Sequence, residues 1–208
     1  MEKHSNYFEL RDACKVSGCP ACTLITKTVR RYLDSLLYES VNDPVVRRKL
    51  RSSLGFCRRH SLALLTVGDA FGVAIIYQDI LMQVDAALKE GAAPEIRGEC
   101  PACSAEREGS ESYLNVMMAF LGDEELKTAL LRSDGLCLDH ISHCVDKAGK
   151  EGLPLWFVSL HSDRLRRHRH DLSESLRKQD VQFKHETLTK AEERACENAI
   201  DFLVGMTV

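Results

Sequence analysis

The sequence predicts an all-α protein of two tandem homologous helical repeats related by pseudo-twofold symmetry, about ten helices in all, with a C-terminal helix packed on the bundle. Three observations predict it. Apolar residues fall at three- and four-residue spacings along nearly the whole chain, while the alternation of a half-buried strand is missing. Cys19-Pro20-Ala21-Cys22 recurs as Cys100-Pro101-Ala102-Cys103, and Gly55-Phe56-Cys57-Arg58-Arg59-His60 recurs as Gly135-Leu136-Cys137-Leu138-Asp139-His140, at offsets of 81 and 80 residues. Between these words, Val41 to Leu50 matches Leu121 to Leu130, each an acidic cap followed by an apolar helical pattern, so whole units repeat.

Each element has a local cause. Cys19 takes the N-cap position with Pro20 at the first helical position, where no amide hydrogen is needed, and Leu24, Val29, Leu33, Leu36 and Leu37 carry the helix to about Ser40. Asn42 or Asp43 caps the next helix and Pro44 opens it. A third helix starts near Cys57, after Gly55. A fourth runs from about Asp69 to Glu90, with Phe71, Ile75, Ile76, Ile80 and Leu81 as its buried stripe. Glu90-Gly91-Ala92-Ala93-Pro94 ends that helix and begins a linker, after which the second repeat follows the same order. The polar run from Arg164 to Lys184 predicts a helix exposed over much of its surface. Ala191, Ala195, Ala199, Ile200 and Leu203 predict a last helix, from about Lys190 to Val204, that packs over the bundle. The boundaries that follow are 1–91 for the first repeat, 92–185 for the second and 186–208 for the C-terminal helix.

The repeated words carry metal chemistry. Cysteines three residues apart at a helix start hold both sulfurs near one point, because positions i and i+3 are neighbours on a helix surface. The same holds for Cys57 with His60. Pairing the words within each repeat gives Cys19, Cys22, Cys57 and His60 as one set, and Cys100, Cys103, Cys137 and His140 as the other. Each Cys3His set suits tetrahedral zinc, so two Zn2+ ions per chain are expected, with an iron–sulfur cluster as the alternative. Helix N-termini aimed at the metal favour thiolate over thiol. Cysteines that are only small buried hydrophobes would not need these words at nearly fixed spacing in both halves. Cys14 and Cys196 lie outside the pattern and read as packing residues. Cys144, one turn after His140, competes as a ligand but aligns with apolar Leu64, so it reads as core. His143 aligns with Ala63 and reads as surface, while His161, His168, His170 and His185 have no ligand-like counterpart in the first repeat.

Composition limits the function classes. The chain has 208 residues, 44% hydrophobic and 28% charged, which is enough apolar content for a real core. A formal charge of -3 gives no global field toward nucleic acid or anionic lipid, and the basic clusters, such as Arg47-Arg48-Lys49 and Arg164 to His170, read as solvated helix faces. The expected partner is therefore a protein and not nucleic acid. The N-terminal residues lack an apolar signal region, and uninterrupted apolar stretches such as Val73 to Tyr77 are too short for a bilayer, so the expectation is a cytoplasmic protein without membrane attachment. In that reducing compartment, nine cysteines read as metal ligands or redox groups, not as a disulfide framework.

CPAC, the run YESVNDPVVRRKLRSSLGFCRRH, the second CPAC and SDGLCLDH together resemble an uncharacterised family of bacterial and archaeal duplicated cysteine proteins, over nearly the whole chain. The resemblance implies a fold and paired metal sites but no activity. No nucleophile with its base, phosphate-cradling glycine loop or coenzyme fingerprint is present, and a closed four-ligand site leaves no position for substrate. The reading is therefore a non-catalytic interaction or regulatory module. Iron–sulfur electron transfer or redox sensing is the first alternative, and a thiol oxidoreductase using each CPAC as an exchanging dithiol is the second. Against the latter, no βαβ pattern surrounds either motif.

Overall fold

The computed structural model describes residues 2–205; residue 1 and residues 206–208, the end of the expected C-terminal segment, lie outside the described residues. The fold is all-α, with eleven α-helices and no strand among the described residues. The chain divides into two compact units. These do not coincide with the expected segments 1–91, 92–185 and 186–208, because one unit joins the chain up to Leu24 with the chain from Glu111 onward, and the other is Ile25–Ser110. The boundaries fall inside helices α2 (Pro20–Ser35) and α6 (Pro101–Ala119).

The middle unit, Ile25–Ser110, holds most of α2, its π-helical continuation Leu36–Ser40, then α3 (Pro44–Ser52), α4 (Arg58–Val67), α5 (Ala70–Lys89) and the first half of α6. Asp43 caps α3 by accepting from the backbone N–H groups of Val45 and Val46 at 2.8 and 2.9 Å, with Pro44 at the first position as the sequence predicts. Asp69 caps α5 through the Gly72 N–H at 3.0 Å. Helix α5 packs against α3, α4 and the π segment, so its buried stripe is Gly72, Ile76 and Ile80. The expected stripe needs correction: Phe71 and Leu81 are 78% and 65% exposed. They sit one position off the true face, which is selected by the close approach of Gly72 to Leu37 and Asp69. A second correction concerns the apolar length. Ala70–Lys89 is, among the described residues, the one helix long and apolar enough to cross a membrane by length and composition, with a mean hydropathy of 1.3 and 17% of that stretch buried. Gln78-Asp79, Gln83 and Asp85 interrupt its apolar runs, which is why uninterrupted stretches underestimate it.

The other unit contains α1 (Ser5–Ala13), the start of α2, the second half of α6, α7 (Glu124–Arg132), α8 (Leu138–Ala148), α9 (Leu155–Gln179), α10 (Lys190–Glu193) and α11 (Ala195–Val204). Helix α1 is absent from the sequence reading. It is tied to α7 through Tyr7, which is fully buried and donates its hydroxyl to Asp123 at 2.7 Å while Asp123 accepts the Leu126 N–H as the α7 cap at 3.0 Å. The Tyr7 hydroxyl, that backbone N–H and Lys3 hold Asp123 well below the usual carboxylate range. The predicted last helix is broken at Arg194 into α10, opened by a Thr189–Glu192 capping box, and α11. Of its expected apolar stripe, Ala195 is buried while Ile200 and Leu203 are more than half exposed, and Cys196, read as packing, is exposed too. Cys14 and Cys144 are buried as expected, and burial pushes each thiol up to about 11.

Candidate metal centres

Each ligand word folds the same way twice. Cys57 and Cys137 are the N-caps of α4 and α8, both extended, and their carbonyls accept the first helical bonds from Ser61 and Ile141 at 2.8 and 2.9 Å. The glycine two residues earlier has positive φ in both copies, +89° at Gly55 and +82° at Gly135. At either, a Cβ would also crowd a buried side chain: Ile80 at 3.1 Å from Gly55, His161 at 3.3 Å from Gly135. Cys19 and Cys100 precede the opening prolines of α2 and α6, and their carbonyls accept from Thr23 and Ser104 at 3.0 and 3.2 Å.

The eight residues gather into two groups of four whose ligand atoms all lie within 4.8 Å of one another, but the partition differs from the expected one. Cys19 and Cys22 meet Cys137 and His140, and Cys57 and His60 meet Cys100 and Cys103. Pro20–Ser40 is a continuous helical rod of about 30 Å that separates the first CPAC from the chain leading to Cys57, and each word closes on a word of the other repeat. Self-similarity places both words in each repeat without saying which copy meets which.

Short loops fasten the crossed pairs. In the first centre, Asp134 accepts from the Gly18 N–H at 2.7 Å and the Ser17 hydroxyl at 3.1 Å, which ties the residues before Cys19 to the turn before Cys137. In the second, the Ser52 carbonyl accepts from the N–H groups of Arg97 and Gly98 at 2.8 and 2.9 Å, tying the approach to Cys100 to the turn before Cys57. Gly98 permits this, since a Cβ there would meet the Ser52 hydroxyl at 2.5 Å. His161, left out of the sequence-derived ligands, is no ligand but a support: its Nε2 accepts the Leu136 N–H at 3.0 Å and its Nδ1 donates to the Phe157 carbonyl at 2.8 Å. Its counterpart against Gly55 is Ile80, so the repeat gives no signal for it.

The geometry suits one ion per group. A tetrahedral zinc with bonds of about 2.3 Å to sulfur and about 2.0 Å to nitrogen places its ligand atoms about 3.5–3.8 Å apart. In the first centre, Cys22 Sγ is 3.7 Å from Cys137 Sγ, and His140 Nδ1 is 3.6, 3.6 and 3.0 Å from the sulfurs of Cys19, Cys22 and Cys137. In the second, Cys57 Sγ is 3.7 Å from Cys103 Sγ, and His60 Nδ1 is 3.3, 3.6 and 3.4 Å from the sulfurs of Cys57, Cys100 and Cys103.

The two centres differ in surroundings. All four ligands of the first are buried, and the end of α11 closes over them: a Cβ on Gly205 would stand 3.3 Å from Cys22 Sγ and 3.5 Å from Cys137 Sγ. In the second, His60 is fully buried and the three cysteines are half-buried. The sulfurs of Cys19 and Cys22 push the Cys137 thiol strongly down. Burial opposes charge on His140, but Cys137 and Cys22 outweigh it and push that imidazole up to about 10. Burial and then Arg59 instead hold His60 down, and burial with Cys57 and Cys100 pushes Cys103 up to about 12. Three sulfurs this close cannot all be thiolates unless a cation joins them. Both groups could therefore hold a metal ion.

Residues 1–97 match a family described as a family of unknown function (DUF6062). An uncharacterized 23.9 kDa protein in the xynA 3' region of Caldicellulosiruptor sp. (strain Rt8B.4) is 25% identical over 197 residues, covering 92% of this chain and 97% of that one. No solved structure matches. Over its first 97 residues, then, the chain matches the family of unknown function DUF6062, the kind of family that its CPAC and Gly-x-Cys-x-x-His words resemble.

Proposed function

We propose that the protein is a non-catalytic zinc protein in which two Cys3His centres clamp helices that are distant in sequence, leaving the helical surface to bind another protein. The observation that carries this reading is the ligand spacing: contacts of 3.0–3.7 Å suit four bonds to a single ion. A polynuclear iron–sulfur cluster distributes its ligands over several irons and holds them farther apart, so the compactness supports zinc. Four protein ligands fill a tetrahedral site, which supports a structural role over a catalytic one. The exposed apolar residues of α5, Phe71, Leu81, Met82 and Leu88, support a protein as the partner. Elemental analysis of protein purified anaerobically without chelator tests the reading: two zinc ions per chain are expected, with no visible absorption. Stoichiometric iron and sulfide, or neither metal with all six ligand cysteines freely alkylated, would overturn it.

A further inference from the structure

The second centre contains a group that the ligand set does not use. His60 turns Nδ1 to three sulfurs, and its Nε2 is buried without a hydrogen-bond partner. An imidazole that gives Nδ1 to a metal carries its proton on Nε2, so metal binding creates a buried N–H donor there that needs an acceptor. One is in place. Glu106 Oε2 lies 3.6 Å from His60 Nε2, and Arg59 donates to the same carboxylate and holds it there. Both groups belong to the ligand helices: Glu106 follows Cys103 by three residues in α6, so it lies one turn along the same face, and Arg59 immediately precedes His60 in α4. The first centre has no such pair in its sequence. The residue three after Cys22 is Ile25, and the residue before His140 is Asp139.

We infer that Glu106 is the outer-sphere carboxylate of the second centre, accepting a hydrogen bond from the His60 Nε2–H when Nδ1 binds metal and so fixing the ring's tautomer and orientation. The inference rests on the zinc reading above. Such a partner raises the basicity of the ligating nitrogen and restrains the ring, and its loss typically weakens metal binding about 10- to 100-fold. Glu106 is thus a positioning residue, and through it the two centres differ in how they hold their ions: the first is sealed by burial and the second is secured by a charge-fixed hydrogen bond.

The test uses the full chain, reduced and stripped of metal, titrated with zinc against a chromophoric chelator. The wild type should bind two ions. Glu106→Ala should weaken one of them about 10- to 100-fold and leave the other unchanged. Glu106→Gln, whose amide oxygen still accepts from Nε2–H, should recover most of the loss. A merely structural role is separated by melting the metal-free proteins: positioning predicts that Glu106→Ala matches the wild type without metal and melts earlier only with it. Equal destabilisation in both states, equal weakening of both ions, or unchanged binding would overturn the inference. A wild type that binds no zinc would instead remove the reading beneath it.

Discussion

Substituting Cys137 separates the crossed partition from the pairing that the repeat alone implies. In the structure, Cys137 shares its centre with Cys19, Cys22 and His140. Cys137→Ser should therefore empty the centre built on the first CPAC and leave the one built on the second intact. The size follows from linkage: a site held at a free zinc concentration about 1,000-fold above its dissociation constant contributes about 4 kcal/mol to stability. Spread over a unit of roughly a hundred residues, at about 4–8 °C per kcal/mol, that is a fall of roughly 15–30 °C in the melting of that unit. Elemental analysis should show one zinc ion in place of two. Native alkylation with iodoacetamide followed by mass spectrometry should then label Cys19 and Cys22 while Cys57, Cys100 and Cys103 stay protected, and Cys57→Ser should produce the reciprocal pattern. Labelling of Cys100 and Cys103 in the Cys137 variant would refute the crossed arrangement.

Two further perturbations probe the supports of the first centre. Gly205 has φ 77° and ψ 168°, a region close to glycine-only, so Gly205→Ala should cost about 1–3 kcal/mol and loosen zinc at the first centre in a chelator competition, whereas the second centre keeps its affinity. His161→Leu leaves the Leu136 N–H buried without an acceptor and should cost about 1–3 kcal/mol by denaturant unfolding. The same histidine sets a pH dependence. Burial, with Arg164 adding to it, outweighs the Phe157 carbonyl and holds His161 below its ordinary value. The unfolded chain therefore binds more protons, and the stability contribution is full above about pH 6.5 and is lost as pH falls below it toward the folded value. Between pH 7 and 5, metal-free wild type should lose stability more steeply than His161→Leu; parallel profiles would count against the neutral-acceptor role.

What was legible in the sequence follows from the range of the physics involved. Helix starts are local, so Pro20, Asp43, Asp69 and Cys57 mark them correctly. Ligand identity is also local, since CPAC and Gly-x-Cys-x-x-His state the donors whatever they meet. The partner of each word is not local: it depends on where rods of about 30 Å deliver the chain, and two copies of one motif are interchangeable to a reader of patterns. Burial stripes failed where the apolar surface exceeds what the core covers. On α5 nearly every face is apolar, and periodicity alone could not choose Gly72, Ile76 and Ile80 over Phe71 and Leu81. Asp134 and Glu106 escaped because each acts through a neighbour of a ligand, and their repeat counterparts, Leu54 and Ile25, are apolar.

The crossed pairing also orders the two centres along the chain. They are nested: the nearest sulfur pair of the outer centre, Cys22 and Cys137, is 115 residues apart, and His60 and Cys100 of the inner one are 40 apart. Loop-closure entropy grows as the logarithm of length, so closing the longer loop costs only about 1 kcal/mol more, and both centres should hold their metals comparably once the chain is folded. The difference lies in what must be present. All four inner ligands fall within Ile25–Ser110, a compact unit by itself, whereas the outer centre needs Cys19 and His140 together. A fragment spanning residues 25–110 should therefore bind one zinc ion in competition with a chelator. The segment 1–91, a complete repeat by sequence, holds only one pair from each centre and should bind far more weakly. Equal affinity of 1–91 for zinc would mean that Cys57 and His60 can close on Cys19 and Cys22 after all, and the nested order would fail.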